Sequence, residues 1–414
     1  MGRGRRSWGV LLVLAVLGLP AVAEDREATE IGGEQKYTVT QSTYEGLRKA
    51  REAMDKERHA EALAILRELL PKVAGKAHET ALAQQSIAYA YLSQKRYPEA
   101  INAIKAALAR RTLPRDVTHA LRYNLAQSYI QIEDYRKGLA SLQAWLAQEE
   151  NPSADAHYLG AVCHRHLRQY EAALTHIKQA IAKVKDPRED WYLFMLSLYF
   201  ESERYANAVP LLNDLIAKHP RKTEYWRYLT DVYLISKRDG EALATFKLAY
   251  AQDMLEERDL IRLAQLYLHR NIPYSASRLL DKEIQRGRIA RTAQNLELLG
   301  NSWAMARERE RAIGALQEAA ARVRHGKIDL NIAQMQMSLE NWAGAAKSFA
   351  TALEKGGLKE PDEAQLLFGI SCYREGDKKC AASALQLASK SPRFRKQAQR
   401  WLERILEDGT PASA

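Results

Sequence analysis

Cysteine is scarce in this sequence: its 414 residues contain only Cys163, Cys372 and Cys380. Three cysteines cannot form the disulfide framework of a small secreted protein, so the fold must be stabilised by packing. Cys372 and Cys380 flank Gly376, and a hairpin turn at that glycine would bring the two thiols within disulfide distance. The sequence leaves two alternatives open here, a disulfide across the turn and two reduced, partly buried thiols.

Long apolar runs are missing after the N-terminus. Residues 10–19 are apolar, follow three arginines, and precede Pro20 and a small Ala-Val-Ala site. This pattern predicts a cleaved secretory signal over residues 1–23, with the cut before Glu24. The apolar core is shorter than the roughly 20 residues that a membrane helix needs. We therefore expect an exported protein with no direct membrane insertion after signal cleavage.

Dense runs of one charge are also missing. The predicted signal carries three of the 62 basic residues, so the remainder, set against 51 acidic residues, leaves a formal charge of +8. Lysine and arginine are spread along the chain beside glutamate and aspartate rather than gathered together. This distribution does not favour nucleic acid as a partner.

Catalytic motifs are absent as well. The sequence has no Gly-rich phosphate loop, no His-Glu-x-x-His, no Gly-x-Ser-x-Gly and no conspicuous carboxylate pair. His164 and His166 lie two residues apart, so on a helix they point to different faces and cannot chelate one ion. We expect no enzymatic activity, no cofactor and no metal site.

What the sequence does contain is a repeat of 33 to 38 residues, marked by a small residue with a large apolar residue four positions later. The small residues are Ala62, Ala100, Gly138, Ala173, Ala208, Ala242, Ala276, Ala312, Ala345 and Ala381. The large residues are Leu66, Ile104, Leu142, Ile177, Leu212, Phe246, Leu280, Leu316, Phe349 and Leu385.

A second set of mostly small residues lies twelve positions before the first set, and an aromatic residue usually follows three positions later. This second set is Ala50, Ala88, Ala126, Ala161, Leu196, Thr230, Ala264, Gly300, Ala333 and Gly369. Small residues at a helix crossing allow two antiparallel helices to approach closely. The offsets therefore predict two short helices per repeat.

The same offsets resemble the tetratricopeptide-repeat (TPR) consensus. The resemblance implies an all-α fold, a right-handed TPR solenoid. We predict a signal peptide (1–23), a flexible lead (24–40), about ten repeats (41–390), a C-terminal capping helix (391–408) and a disordered tail (409–414).

In a TPR solenoid the first helix of each repeat lines a groove, and positions near its small residue face inward without being needed for packing. These positions form a polar, amide-rich and aromatic strip that is suited to binding an extended peptide or a helix. The alternative is that they are ordinary exposed helix. The predicted strip consists of Gln85, Tyr89, Tyr123, Gln127, Tyr158, Ser197, Arg227, Asp231, Gln265, Glu297, Asn301 and Gln334.

Several stretches resemble a narrower family, the periplasmic TPR proteins that accompany TonB, ExbB and ExbD energy-transduction systems in Gram-negative bacteria. The likeness extends through most of repeats five to ten. Its residues are Tyr225-Trp226, Leu229, Tyr233, Ala242 to Phe246, Leu248 to Tyr250, Leu263 to Leu268, Asn271 to Tyr274, Asn295 to Leu299 and Lys355-Gly356-Gly357-Leu358.

This resemblance implies a periplasmic scaffold that binds TonB, ExbB or ExbD and supports TonB-dependent uptake of iron chelates. A general cell-envelope scaffold, acting in secretion, pilus or wall biogenesis, is the main alternative. An enzyme-associated or catalytic module is disfavoured because the sequence shows no site. The pattern gives no indication of the oligomeric state.

Overall fold

A computed structural model describes residues 39–407. Within that range the chain forms 21 α-helices and no strand, which confirms the all-α prediction. No helix among these residues combines the length and the apolar character needed to cross a membrane. The predicted signal, the predicted tail and all of the predicted lead except its last two residues lie outside the described residues.

The chain divides into two compact units, the first ending at Arg204 and the second beginning at Tyr205. Within the first unit, from its first helix to its last, consecutive helices pack against each other, as successive hairpins of a repeat stack do. Its helices are α1 (Gln41–Asp55), α2 (His59–Lys72), α3 (Ala77–Ser93), α4 (Tyr97–Ala109), α5 (Arg115–Gln131), α6 (Tyr135–Leu146), α7 (Ala154–His166), α8 (Tyr170–Ala182) and α9 (Glu189–Glu201).

The second unit follows the same plan and ends with one additional helix. Apart from this additional helix, odd-numbered helices are the first helices of the repeats, and even-numbered helices are the second. Its helices are α10 (Tyr205–Lys218), α11 (Thr223–Ile235), α12 (Asp239–Ala251), α13 (Glu257–His269), α14 (Pro273–Gln285), α15 (Ala293–Met305), α16 (Arg309–Ala320), α17 (Lys327–Ser338), α18 (Trp342–Lys355), α19 (Pro361–Glu375), α20 (Lys378–Ala388) and α21 (Arg395–Glu407).

The recurring small residues lie where the two helices of a hairpin cross. The nine alanines of the first set have no exposed surface, and neither do the ten large residues that follow them. A Cβ added at Gly300 would lie 2.5 Å from Cγ of Leu316, and one added at Gly369 would lie 2.7 Å from Cγ of Leu385. A notch in the first helix therefore receives the large apolar residue of the second.

Every turn between a first and a second helix contains a residue in the left-handed backbone region. In the second repeat this residue is Lys95 (φ 58°), whose N–H donates to the carbonyl of Leu92, while the N–H of Arg96 donates to the carbonyl of Tyr91. These two bonds define the Schellman motif, which ends a helix and redirects the chain. The left-handed residues are Glu57, Lys95, Glu133, Arg168, Glu203, Lys237, Asn271, Arg307, Glu340 and Gly376.

Two features of the second unit coincide with sequence that departs from the general repeat. Pro273 is the first residue of α14, where a missing N–H costs nothing. Gly356 and Gly357 both have positive φ and end α18, and the carbonyl of Gly356 accepts a hydrogen bond from the N–H of Gly326 (2.8 Å). A Cβ at Gly326 would lie 2.0 Å from the carbonyl oxygen of Ala352, so the backbones of α17 and α18 meet there.

The last helix, α21, lies within the segment predicted as a cap. Ala398 and Ile405 are buried, and Trp401 and Leu402 pack against the same apolar cluster as α19 and α20. Most of the remaining surface of α21 is exposed. It covers the apolar side of the tenth hairpin, as the end of a repeat stack requires.

Candidate protein-binding surfaces

In the first unit the predicted strip is largely occupied by contacts within the chain. Gln85, Gln127 and Tyr158 are buried. The ring centroid of Tyr158 lies 5.7 Å from that of Trp191 and 5.5 Å from that of Phe194, both on α9. The expectation that strip residues are not needed for packing is wrong at these three positions, because the neighbouring helices cover them.

The other strip residues of the first unit are half-buried. The ring of Tyr123 lies 4.6 Å from that of Trp145, and burial raises the pKa of its phenol to about 12. Burial also raises the pKa of Tyr89. The hydroxyl of Ser197 donates to the carbonyl of Phe194 at 2.7 Å. Both phenols therefore stay neutral at physiological pH, and their exposed edges offer aromatic surface rather than charge.

In the second unit, two strip residues form ion pairs between consecutive first helices. Arg227 on α11 donates through Nε (2.8 Å) and Nη2 (2.6 Å) to the carboxylate of Asp259 on α13, which is 1% exposed. The bond with Asp259 raises the pKa of Arg227. Asp231 on α11 accepts a hydrogen bond from Arg262 on α13. These pairs stabilise the stacking of α11 on α13, so their charges are already matched.

Three strip residues form a row of amides on consecutive first helices of the second unit. Gln265, Asn301 and Gln334 directly follow the second small residue on α13, α15 and α17; we call them the amide row. Gln265 and Gln334 are exposed and make no side-chain hydrogen bond with residues 39–407. Asn301 accepts a weak bond from Asn331 (3.3 Å). Glu297 is exposed one turn before Asn301.

Three histidines meet inside the hairpin of α7 and α8. The Nδ1 atoms of His157 and His176 lie 3.5 Å apart, and the ring of His164 stacks on that of His176 with centroids 5.2 Å apart. Nδ1 of His164 lies 2.7 Å from Oε1 of Gln169, while His166 is exposed on another face. Burial, followed by the nearby His164 and His157, lowers the pKa of His176 to about 4. Across residues 39–407, no group of three or more His, Cys, Asp or Glu side chains is arranged to hold a metal ion.

Two of the cysteines form a disulfide, and the third is a free thiol. Cys372 and Cys380 form a disulfide that links α19 to α20 across the turn at Gly376, with Cα atoms 5.7 Å apart. Cys163 is a free thiol with no exposed surface, and burial raises its pKa to about 12. A thiol that stays protonated is a poor nucleophile and a poor metal ligand.

Sequence reasoning missed a buried carboxylate in the second unit. Glu283 has no exposed surface, yet its Oε1 accepts from the hydroxyl of Tyr250 (2.6 Å) and its Oε2 lies 3.2 Å from Nη1 of Arg288. The three groups join α12, α14 and the loop after α14. Glu283 stands among charged residues that are typical of a polar helical face, so the sequence carries no signal for its burial.

Comparison with known proteins identifies the repeat. The family model described as "Tetratricopeptide repeat" matches residues 47–114, 123–188 and 196–256. No curated protein sequence matches the chain.

Solved structures, two of them of TPR proteins, resemble the chain at low identity. A tetratricopeptide repeat protein from Parabacteroides merdae has 17% identity and a TM-score of 0.38, covering 72% of this chain and 100% of its own. The C-terminal part of a TPR repeat-containing protein from Cytophaga hutchinsonii has 13% identity and a TM-score of 0.37, covering 68% and 99%. MamA has 18% identity and a TM-score of 0.34, covering 42% and 94%. At these scores the likeness carries no argument about function.

Proposed function

Because the chain is a tetratricopeptide-repeat protein, we propose that it is a non-catalytic scaffold that binds a segment of another protein along the amide row of the second unit. Tetratricopeptide repeats generally bind proteins. The amide row is the observation that carries the proposal. Gln265 and Gln334 are exposed, unlike most of the predicted strip, and neither side chain forms a hydrogen bond with residues 39–407.

Amide side chains suit this role because each offers a donor and an acceptor in fixed relation. An extended peptide presents the same two groups along its backbone, and recognition of this kind gives affinity through main-chain hydrogen bonds. Glu297 adds one negative charge beside the row. The matched ion pairs of Arg227 and Asp231 add none, so the surface favours a partner segment that is neutral or mildly basic.

The finer proposal places the protein in the periplasm of a Gram-negative bacterium, as an accessory of a TonB-type complex that supports uptake of iron chelates. Its support is the family resemblance, together with the predicted secretory signal. Two of the resembling stretches, at Pro273 and at Gly356-Gly357, depart from the general repeat and have defined structural roles. TonB, ExbB and ExbD are therefore the proposed partners.

Photo-crosslinking in cells tests the surface and the partner together. We would place p-benzoylphenylalanine at Gln265 and, separately, at Gln334, with Lys247 on the exposed face of α12 as the matched control position. Crosslinks to TonB, ExbB or ExbD from the first two positions and not from Lys247 support both levels of the proposal. Crosslinks to wall, pilus or secretion proteins support the general envelope scaffold instead. Crosslinking from Lys247 alone refutes the amide row as the binding surface.

Growth on an iron chelate tests the cellular role. Deletion of the gene should abolish growth with the chelate as sole iron source, and the wild-type gene should restore it. A Gln265→Arg, Gln334→Arg double variant should restore growth poorly while accumulating to the wild-type level, because both substitutions lie on exposed helix. Unimpaired growth of the deletion strain, with no redundant copy, would refute the TonB assignment and leave the scaffold proposal to the crosslinks.

A further inference from the structure

A cavity of about 630 Å³ opens between the second helices of repeats seven and eight, away from the amide row. Helices α14 and α16 form its two walls, and each includes four lining residues with the same spacing along the helix. The α14 wall is formed by Arg278, Asp281, Lys282 and Gln285, and the α16 wall by Arg311, Gly314, Ala315 and Glu318. Leu296, Leu299 and Trp303 of α15 form the apolar floor. We call this cavity the α14–α16 slot. Its volume lies within the range of sites that enclose small ligands or short peptide segments.

The slot carries an excess of positive charge. Four basic side chains, of Arg278, Lys282, Arg291 and Arg311, line it against two acidic ones, which leaves a formal charge of +2. Glu318 is already neutralised: it accepts hydrogen bonds from Arg291 and from Arg322, and its pKa is lowered mainly by the bond with Arg291. The charge of Glu318 is therefore matched within the chain, and Asp281, the other acidic residue of the lining, accepts a hydrogen bond from Gln285 (2.8 Å).

Lys282 is engaged within the chain, because its Nζ lies 4.0 Å from Oε1 of Glu283 and over the ring of Tyr250. Two other cations, Arg278 and Arg311, are placed to meet a ligand. Arg278 forms no ion pair or hydrogen bond with any residue from 39 to 407. The guanidinium of Arg311 lies 4.8 Å above the ring of Trp303, which holds it over the floor of the slot. Its ion-pair contact with Glu308 is long (4.0 Å) and exposed to solvent. Arg278 and Arg311 stand on opposite walls, so a ligand between them would contact a cation on each side.

Gly314 keeps the slot open. It lies in the middle of α16, where glycine weakens a helix, and neither a positive φ nor a close neighbour requires it. A Cβ built there would meet no atom within 4 Å. The effect of the missing side chain is therefore space in the slot rather than packing within the chain.

We propose that the α14–α16 slot is a second protein-binding site, which takes a short segment of a partner that alternates acidic and apolar side chains. The carboxylates of such a segment pair with Arg278 and Arg311, and its apolar side chains cover the floor at Trp303. This site lies on the second helices, whereas the amide row lies on the first helices. The protein thereby holds two segments at once, one acidic and one neutral or mildly basic.

Fluorescence anisotropy of the full chain tests the proposal, with a fluorescein-labelled octapeptide of alternating glutamate and leucine as probe. The matched peptide with glutamine in place of glutamate should bind at least tenfold more weakly. The Arg278→Glu, Arg311→Glu double variant should weaken binding of the acidic probe by at least tenfold. Equal binding of the two peptides by the wild-type protein would overturn the proposal, because the slot would then not recognise charge.

A steric variant locates the probe without altering charge. Gly314→Leu should fill the slot and weaken binding at least tenfold, and it should not impair folding because leucine favours a helix more than glycine does. Gly240→Leu on α12 is the matched control, because Gly240 is also helical and exposed and also has no atom within 4 Å of a built Cβ. It should change binding less than twofold. Wild-type binding by Gly314→Leu would show that the probe lies elsewhere and would refute the site.

Two further measurements distinguish the slot from a simple anion site and from the amide row. Complete competition by millimolar inorganic phosphate would indicate a simple anion site and overturn the assignment to a peptide. The Gln265→Arg, Gln334→Arg variant should bind the acidic probe as the wild type does, because the amide row is a different surface. A loss of probe binding in that variant would overturn the slot and point to the amide row instead.

Discussion

Acidification should destabilise the hairpin of α7 and α8, because folding lowers the pKa of three of its histidines, of which His157 and His176 lie inside the hairpin. The folded state lowers the pKa of His176 from 6.5 to about 4, first by burial and then through the neighbouring His164 and His157. Burial lowers the pKa of His157 as well, with Lys183 adding to the effect. Neither imidazole faces a carboxylate that would favour its charged form.

The unfolded state binds the proton of His176 more tightly than the folded state, so lowering the pH lowers the stability of the folded state. Because the folded pKa lies below the unfolded one, the contribution of His176 is fully present above about pH 6.5 and is lost as the pH falls toward 4. A shift from 6.5 to about 4 corresponds to a ceiling of about 3.4 kcal/mol. Roughly 2 kcal/mol of that is lost by pH 5. The ring is only partly buried, so water reduces the expected loss to about 1 kcal/mol.

Urea unfolding at pH 7.5 and 5.0 measures this loss, and hydrogen exchange of the α7 and α8 peptides localises it. The wild type should lose about 1 kcal/mol more than His176→Gln between the two pH values. His325→Gln, at an exposed position of the second unit, is the matched control and should keep the wild-type pH dependence. Equal losses in the wild type and His176→Gln would show that the buried imidazole is not responsible, and the reasoning would fail.

Three further predictions concern the framework, each measured by equilibrium unfolding of the full chain. Gly326→Ala should cost about 3 kcal/mol, because its Cβ would lie 2.0 Å from a carbonyl oxygen of α18; wild-type stability would contradict the close approach. Reduction of the Cys372–Cys380 disulfide, or a Cys372→Ser, Cys380→Ser variant, should cost about 2 to 3 kcal/mol from the entropy of an eight-residue loop; iodoacetamide labelling of both thiols without reductant would exclude the bridge. Lys95→Gly should stabilise by about 1 kcal/mol, because lysine is strained at φ 58°; a loss of stability would show that the strain is absent.

The repeat was predictable because helix packing restricts the size of the residue at fixed positions in the sequence. A crossing accepts only a small residue and the space beside it needs a large one, so Ala242 and Phe246 could be placed without a structure. The turns were not predictable in the same way. Their left-handed residues are mostly charged, as at Glu57, Lys95 and Arg168. A charged residue in a sequence does not predict a left-handed backbone conformation. Hydrogen bonds to the carbonyls of the first helix impose it there.

The binding surfaces were predictable only in part, because position in a repeat does not determine exposure. Gln127 and Gln265 occupy equivalent positions, yet Gln127 is 1% exposed and Gln265 is open to solvent. The difference comes from the neighbouring side chains. In the first unit, for example, the ring of Trp145 on α6 packs against that of Tyr123, one turn before Gln127 on α5. The sequence therefore identifies candidate binding residues, and the packing of neighbouring side chains determines which of them are exposed.

The α14–α16 slot was not predictable from the sequence for the same reason. Its residues come from three helices and belong to no single motif. Arg278 and Gly314 each look like ordinary exposed positions of an amphipathic helix. Only the spacing of the two second helices turns them into facing walls above Trp303.

Packing residues in a repeat protein are constrained by their own hairpin, so they recur along the chain. Binding residues are constrained by a partner that the chain does not contain, so they appear as departures from the repeat. Where a position breaks the pattern without a packing reason, as Gly314 does, that departure is the place to test for a ligand.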